Sequence, residues 1–136
     1  MAGILPDEGE NLVLELLIDR VLTDRDADLE LGLFTNTTAP ETITEATVTE
    51  PTGGSYARKT LTDATWTGDG TDSRAYAQQT FTATGGAYTG SVYGYFIATK
   101  SAGGTQRLVA IEVDPNGPYT FAENDTYDIT PNITAA

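Results

Sequence analysis

Two aspartates in a glycine-rich stretch, Asp69 and Asp72 within the run Gly68 to Ser73, have the clearest capacity for chemistry. Carboxylates grouped in this way supply the oxygen ligands that Ca²⁺ prefers. The spacing departs from the EF-hand pattern, and no glutamate follows that would bind the ion through both oxygens. A solvated turn is the plainer interpretation. The sequence therefore predicts no metal site, and it leaves a calcium ion near Asp69 and Asp72 as an open question.

Other acidic residues allow similar but weaker arguments. The run Glu123 to Asp125 would gather oxygens with Asp114 only if their two loops met, and a turn is the simpler interpretation. A glycosidase needs two carboxylates beside a sugar, one with a raised pKa, and nothing marks any acid here as buried. The chain has no histidine and no cysteine, which removes the usual general base, the common nucleophile pairs and thiolate metal sites. The sequence predicts no enzyme and no cofactor.

Aromatic residues offer a second kind of chemistry, the stacking of sugars. The group consists of Tyr88, Tyr93, Tyr95, Phe96 and Tyr119. Tyr93 and Tyr95 alternate with Val92, Gly94 and Phe96, and alternate residues of a strand point to opposite faces. If the second set is core, the two tyrosines point outward, where tyrosine is enriched in partner interfaces. Packing or a subunit contact is favoured over carbohydrate binding.

Composition and charge limit the partners. Twenty acidic residues against seven basic ones give a net charge of −13, which repels nucleic acid and anionic membranes. Hydrophobic residues make up 39% of the chain, which excludes wholesale disorder, and 136 residues suffice for one domain with a core. The sequence predicts neither a nucleic acid nor a membrane partner.

The first segment has the pattern of one amphipathic helix, from Pro6 to Leu22. Its apolar stripe has helical spacing at Leu12, Val13, Leu16, Leu17 and Val21. Acidic residues at its start and Arg20 near its end suit the helix dipole. Glu15 and Asp19 interrupt the apolar run, so we expect neither a secretory signal nor a membrane span. Such a helix must pack against its own domain or a neighbouring subunit.

The rest of the chain reads as short strands separated by turns. After a polar connector, Asp24 to Asp28, the strand Leu29 to Thr35 alternates with its leucines on one face. Further predicted strands are Ile43 to Thr49, Tyr56 to Thr62, Thr65 to Thr67, Tyr76 to Thr84, Ser91 to Thr99, Arg107 to Val113 and Thr126 to Thr134. The only tryptophan, Trp66, is interpreted as a core residue.

This spacing predicts a mainly β fold. We expect an antiparallel β-sandwich, Ig-like or jelly-roll-like, over residues 29–136. Residues 1–28 form an N-terminal arm that carries the one α-helix.

Several of these segments, in this order, form a pattern that covers nearly the whole chain. They are Leu5 to Glu10, Leu31 to Asn36, Tyr56 to Thr62, Ala64 to Trp66 and Val92 to Phe96. Together they resemble a group of small structural proteins encoded among the virion genes of tailed bacteriophages. The resemblance implies a capsid decoration (cement) protein or another head or tail accessory protein. The group has no catalytic motif, so the resemblance implies no catalytic residue.

The resemblance implies a protein on the capsid surface of a virion, made in the host cytoplasm. Its partners would be the major capsid protein and further copies of itself, as a homo-oligomer such as a trimer. We predict that the partner contacts are made by Ile4, Leu5, Pro6, Leu12, Leu16, Leu17, Val21, Tyr93 and Tyr95. The alternatives are a tail, neck or baseplate accessory protein, or a carbohydrate-binding module of a receptor-binding protein. In a further alternative the helix closes the core of its own domain.

Overall fold

A computed structural model describes residues 5–9, 25–68, 73–101 and 105–134 of the 136-residue chain. Residues 7–9 are helical, and single turns of 3-10 helix cover Pro40–Thr42 and Asp63–Thr65. The strands within the described ranges are β1 (Arg25–Phe34), β2 (Lys59–Leu61), β3 (Ser73–Ala75), β4 (Gln79–Thr82), β5 (Gly94–Ser101), β6 (Leu108–Val113), β7 (Thr126–Ile129) and β8 (Asn132–Thr134). The rest of the predicted helix, residues 10–22, lies outside the described ranges.

The prediction of a mainly β protein is confirmed, and the described strands pair antiparallel. One sheet has four strands in the order β2-β1-β5-β6, and two further sheets pair β3 with β8 and β4 with β7. Leu31 of β1 lies opposite Lys59 on one side and Ile97 on the other. The large sheet is therefore built around β1 and β5, its two longest strands.

The four-stranded sheet is buried on both faces. One face contributes to a first core, which contains Leu31, Leu33, Leu61, Phe81, Ala83, Tyr88, Val92, Tyr95, Ile97, Ala110, Phe121 and Ile129. The other face forms a second core, which contains Phe34, Ile43, Phe96, Ala98, Leu108 and Ile111. The predicted leucine face of β1 is confirmed, because Leu31 and Leu33 lie in the first core and Leu29 packs against it. The opposite face, however, is buried as well.

Gly32 allows the two central strands to lie close together. A Cβ atom at this position would lie 2.3 Å from Cζ of Phe96, well inside the contact distance of two carbon atoms. Phe96 is fully buried and stands directly opposite Gly32 in the register of β1 and β5. Only a residue without a side chain leaves room for this ring.

The predicted strand Ile43 to Thr49 is wrong. The segment follows the 3-10 turn at Pro40–Thr42 and turns again, with the Thr47 and Val48 N–H groups donating to the carbonyl of Thr44. The Thr44 N–H also donates to the Thr47 hydroxyl at 2.9 Å. Threonine side chains compete in this way for backbone hydrogen bonds, so a threonine-rich segment can turn rather than extend.

Several other bounds differ from the prediction. The predicted strand Thr65 to Thr67 is wrong, because Asp63–Thr65 is a 3-10 turn and Thr67 makes only an isolated bridge. The strands predicted at Tyr56 to Thr62, Tyr76 to Thr84 and Ser91 to Thr99 overlap β2, β4 and β5 but have different ends. β1 begins at Arg25 and so crosses residue 28, where the sequence placed the end of a polar connector. Arg25 pairs with Ser101, because β5 extends as far as that residue. The register between β1 and β5 is irregular between Arg25 and Leu29. The predicted strand Thr126 to Thr134 divides into β7 and β8 at Pro131, which has no N–H group to donate to a ladder.

Candidate functional site

The start of the N-terminal segment is held on the β domain by one carboxylate. Oε2 of Glu8 accepts the N–H of Glu45 at 3.0 Å and the N–H of Leu108 at 2.9 Å. Leu108 is the first residue of β6, an edge strand of the large sheet, so its outward N–H needs a partner. We call this pair of hydrogen bonds the Glu8 clamp. It joins three regions that are far apart in the sequence.

Close packing supports the same attachment. Pro6 is fully buried, and a Cβ atom on Gly9 would lie 2.6 Å from the carbonyl oxygen of Val109. Pro6, one of the residues predicted to contact a partner, is thus enclosed by its own chain. Leu5 is half-buried. The other predicted contact residues of this segment, Ile4, Leu12, Leu16, Leu17 and Val21, lie outside the described residues.

The expectation that Tyr93 and Tyr95 share an outward face is wrong. Tyr95 is 6% exposed, lies in the first core and donates its hydroxyl to Glu112. Tyr93 is half-buried and packs against the second core instead. The regular strand begins only at Gly94, so the alternation of β5 does not extend back to Tyr93. A partner contact or a sugar platform that uses both side chains would require the core to open.

A single arginine organises the carboxylates that lie beside the second core. The guanidinium of Arg58 contacts Glu45 at 2.7 Å, Glu50 at 2.6 Å and Glu30 at 3.4 Å. Its central carbon lies 4.9 Å from the ring centre of Phe96. Burial would lower the pKa of Arg58, but the hydrogen bonds that Arg58 donates to Glu50 and Glu45 outweigh it and raise that pKa above its usual value. The arginine therefore stays charged and ties β2 to the 45–50 loop.

Glu45 is the least satisfied member of this cluster. Burial raises the pKa of Glu45 above its usual value, although the hydrogen bond to Arg58 opposes the shift. Its Oε1 contacts Arg58, while Oε2 is buried without a hydrogen-bond partner. The pKa of Arg58 is raised because three carboxylates surround this one cation. The pKa of Glu45 can be raised as well, because Glu45 shares the same cation with two other acids. The backbone N–H of Glu45 also takes part in the Glu8 clamp.

Tyrosine hydroxyls bind the carboxylates of a cleft at the end of β6. The cleft has a volume of about 350 Å³ and contains the pairs Tyr95–Glu112 and Tyr127–Asp114, the latter at 2.8 Å. Burial would raise the pKa of Asp114, but the Asn116 N–H and the Tyr127 hydroxyl outweigh it and lower that pKa. A carboxyl that serves as a general acid needs the opposite shift. This arrangement holds Asp114 in its charged form.

The only tryptophan has a mixed environment. Trp66 is half-buried and packs against the first core, as expected for a core residue. It also lines an open cavity of about 290 Å³ together with Leu29, Asp63, Arg74 and Ile133. The sequence argument did not find this cavity, because its walls come from four separate segments of the chain.

No match was found in three comparisons. The comparisons were made with family models, curated protein sequences and solved structures. Function is therefore argued from the contacts of the chain itself and from the resemblance of its segments.

Of the two acidic groups considered above as ion sites, the structure describes only one. Asp69 and Asp72 lie outside the described residues. At the other candidate, Asp125 accepts the Ala122 N–H and Asn124 has φ 72°, as in an ordinary turn. Within residues 5–9, 25–68, 73–101 and 105–134, no three histidine, cysteine, aspartate or glutamate side chains group to hold a metal ion. The same ranges contain no helix long and apolar enough to cross a bilayer.

Sequence reasoning missed two residues that join distant parts of the chain, Glu8 and Arg58. Glu8 was interpreted only as an anion that suits a helix dipole, since its partners at residues 45 and 108 are distant in the sequence. Arg58 carried one available signal, because it is one of only seven basic residues in a chain with twenty acidic ones. A rare cation in an acidic chain is an expected centre for carboxylates.

Proposed function

We propose that this chain is a structural protein of a tailed-bacteriophage virion, a cement protein that binds across neighbouring major capsid subunits. The Glu8 clamp is the observation that carries the proposal. It fixes Glu8, which precedes the leucine-rich sequence, on the β domain. An assembly protein needs an apolar segment whose neighbouring residue is held firmly on the folded domain.

The segments that carry the phage resemblance are also those that build the domain. The Leu33 N–H, in the second segment, donates a hydrogen bond at 2.8 Å to the hydroxyl oxygen of Tyr56, which belongs to the third. Tyr56 in turn donates to Glu50, and Gly32 and Phe96 pack against one another. A resemblance at such positions supports a shared architecture. The capsid role extends that architecture to function.

The proposed architecture is a β-sandwich of the Ig-like or jelly-roll-like kind. The first core supports it, because it combines Leu31 and Ile97 of the large sheet with Phe81 of β4 and Ile129 of β7. Side chains from separate sheets thus share one apolar layer, as in two sheets packed face to face.

The proposed mechanism is mechanical. Each copy buries apolar residues of the N-terminal segment across a joint between capsid subunits, and self-association into a homo-oligomer such as a trimer multiplies the contacts. Many modest interfaces then resist internal pressure through avidity. The net charge of −13 keeps copies apart before they assemble on the particle in the host cytoplasm.

The test combines native particles with one double variant. Cryo-electron microscopy of particles should show a regular lattice of this protein between capsomers. Leu16→Asp with Leu17→Asp should abolish particle binding while circular dichroism and Trp66 fluorescence report an unchanged β domain. Thr82→Asp with Thr120→Asp is the matched control, since it adds the same charge at two exposed positions of the described domain.

Each other outcome has a definite meaning. Density only at a tail or neck would contradict the cement role and favour an accessory position. Undiminished binding of the Leu16/Leu17 variant would remove this segment from the interface. Loss of the fold in that variant alone would show instead that the segment closes the core of its own domain. Absence of the protein from particles would refute the virion role.

A further inference from the structure

Residues 43–50 lie against the second core as a strap that belongs to no strand. Ile43 is the one buried residue of the strap, and Val48 packs against the same core from a half-buried position. The other buried members of that core lie on β1, β5 and β6 of the large sheet. The strap therefore adjoins an apolar face to which it contributes few side chains of its own.

The later half of the strap is fastened to the residues that follow β1. The Thr35 N–H donates to the carbonyl of Thr49 at 2.8 Å. The side chain of Asn36 accepts the Thr49 N–H at 2.7 Å and donates to the carbonyl of Thr47 at 3.0 Å, both at exposed positions. Exposed hydrogen bonds and few buried apolar contacts are typical of a segment with low local stability. We therefore expect the strap to open more easily than the sheets.

Glu45 connects the strap to two other parts of the molecule. Its backbone N–H donates to Oε2 of Glu8 at 3.0 Å, and its Oε1 lies 2.7 Å from the guanidinium of Arg58. The other donor of the Glu8 clamp is the Leu108 N–H, at 2.9 Å. Movement of Glu45 away from the β domain therefore breaks one ion pair and one half of the clamp together.

The position of Glu45 in the closed strap is opposed by its surroundings. Its Oε2 is buried and has no hydrogen-bond partner, which is unfavourable for a charged group. Arg58 also contacts Glu50 at 2.6 Å and Glu30 at 3.4 Å, so three carboxylates share one cation. Opening returns a buried carboxylate to water and separates it from the others.

We infer that residues 43–50 open as one unit, taking Glu45 away from both Arg58 and Glu8 while the first core stays intact. Glu8 then keeps only the Leu108 N–H, on a strand whose apolar face has lost the strap, so the clamp opens with it. This device makes the attachment of Glu8, and with it the freedom of the leucine-rich sequence that follows, reversible. The inference concerns the free protein and does not depend on the capsid role.

Native-state amide exchange of the full isotope-labelled chain, followed by NMR, tests the device. The strap amides are those of Glu45, Val48 and Leu108, which are bonded in the strap or the clamp. The core amides are those of Tyr88 and Val92, two buried residues of the first core with backbone hydrogen bonds. We expect one common protection factor for the strap amides, about a hundredfold or more below that of the core amides.

A substitution in the first core distinguishes local opening from global unfolding. Ile129→Val trims a buried residue of β7 and should lower the protection of the core amides about fivefold. The first core is folded both before and after the strap opens, so this variant leaves the free energy of strap opening unchanged. The strap amides should therefore keep the protection that they have in the parent.

Two variants with the same change of side chain test the link to Arg58. Arg58→Lys keeps the charge but loses the planar fork that contacts Glu45 and Glu50, so the closed strap is less stable. The protection of the strap amides should fall about tenfold. Arg74→Lys, on the separate sheet of β3 and β8, is the matched control and should leave the strap amides unchanged.

Several results would overturn the inference. One is an equal loss of protection in both sets of amides in Ile129→Val, because both would then exchange only through global unfolding. Another is a different protection factor for Glu45 and Leu108, since the clamp would not open with the strap. A third is unchanged strap amides in Arg58→Lys. If that variant does not fold, the exchange of the parent and of Ile129→Val decides the question.

Discussion

Replacing Gly32 with alanine tests how the central sheet holds its largest buried ring. The added methyl would lie 2.3, 2.6 and 3.0 Å from three atoms at the tip of the Phe96 ring. Gly32 is not among the residues with positive φ, so alanine causes no backbone strain there. Overpacking a core costs about 1–3 kcal/mol, while alanine recovers about 0.4–1 kcal/mol by restricting the unfolded chain. The free energy of unfolding should therefore fall, by up to about 2.6 kcal/mol.

A second substitution makes this prediction decisive. Phe96→Leu removes the three ring atoms that the new methyl would meet. In that background Gly32→Ala should become stabilising by about 0.4–1 kcal/mol, because only the effect on the unfolded chain remains. The sign of the effect therefore reverses between the two backgrounds.

The assay is urea unfolding of the parent, both single variants and the double variant. Circular dichroism and Trp66 fluorescence should give coincident transitions, which justifies two-state analysis. The double-mutant cycle should yield a coupling energy of roughly 1–3 kcal/mol between residues 32 and 96. An equal cost of Gly32→Ala in both backgrounds would refute the steric argument.

Three further predictions concern other parts of the domain. Gly94→Ala should lower the free energy of unfolding by more than about 3 kcal/mol, above the usual cost of overpacking. Its methyl would meet the backbone carbonyl of Glu112 rather than a movable ring. Urea unfolding measures this, and a loss of stability no larger than that of Gly32→Ala would contradict it. Glu45→Gln should become progressively more stabilising relative to the parent as pH rises from about 4.5 towards 8. The reason is that the pKa of Glu45 is raised in the folded protein, so the parent loses stability as Glu45 ionises beside Arg58. Unfolding at both pH values checks this, and a difference independent of pH would disprove it. Burial and a carboxylate acceptor raise the pKa of Tyr127 well above its usual value. The unfolded chain therefore ionises this phenol first, and the parent should lose stability relative to Tyr127→Phe as pH rises above about 10. Tyr127→Phe should also remove one late-titrating phenol from the ultraviolet absorbance titration, and an unchanged late phase would refute this.

Local patterns predicted the parts of the fold that depend on nearest neighbours. The alternation of Leu29, Leu31 and Leu33 identified a strand and its core face, because side-chain direction in a strand follows from sequence parity alone. The apolar run at Arg107 to Val113 gave β6 to within one residue. Secondary structure of this kind needs no knowledge of distant residues.

The failures have a common cause in tertiary packing. The argument about Tyr95 assumed that one face of β5 meets solvent, but a second core covers the other face of the sheet. The strand predicted at Ile43 to Thr49 failed because threonine hydroxyls bonded the local backbone. The cavity at Trp66 and the carboxylates around Arg58 are assembled from segments that only the fold brings together.

The Glu8 clamp also has a consequence for the order in which the protein is made and folded. Glu8 and Leu108 are separated by 100 positions, so the acceptor is synthesised long before one of its two donors. At about 5–20 residues per second, the interval between them is roughly 5–20 s. During that time the leucine-rich sequence after Glu8 has been made, but only one of the two donors that hold Glu8 is present. Attachment of the N-terminal segment is therefore a late event, and it signals that the far edge of the large sheet is already in place.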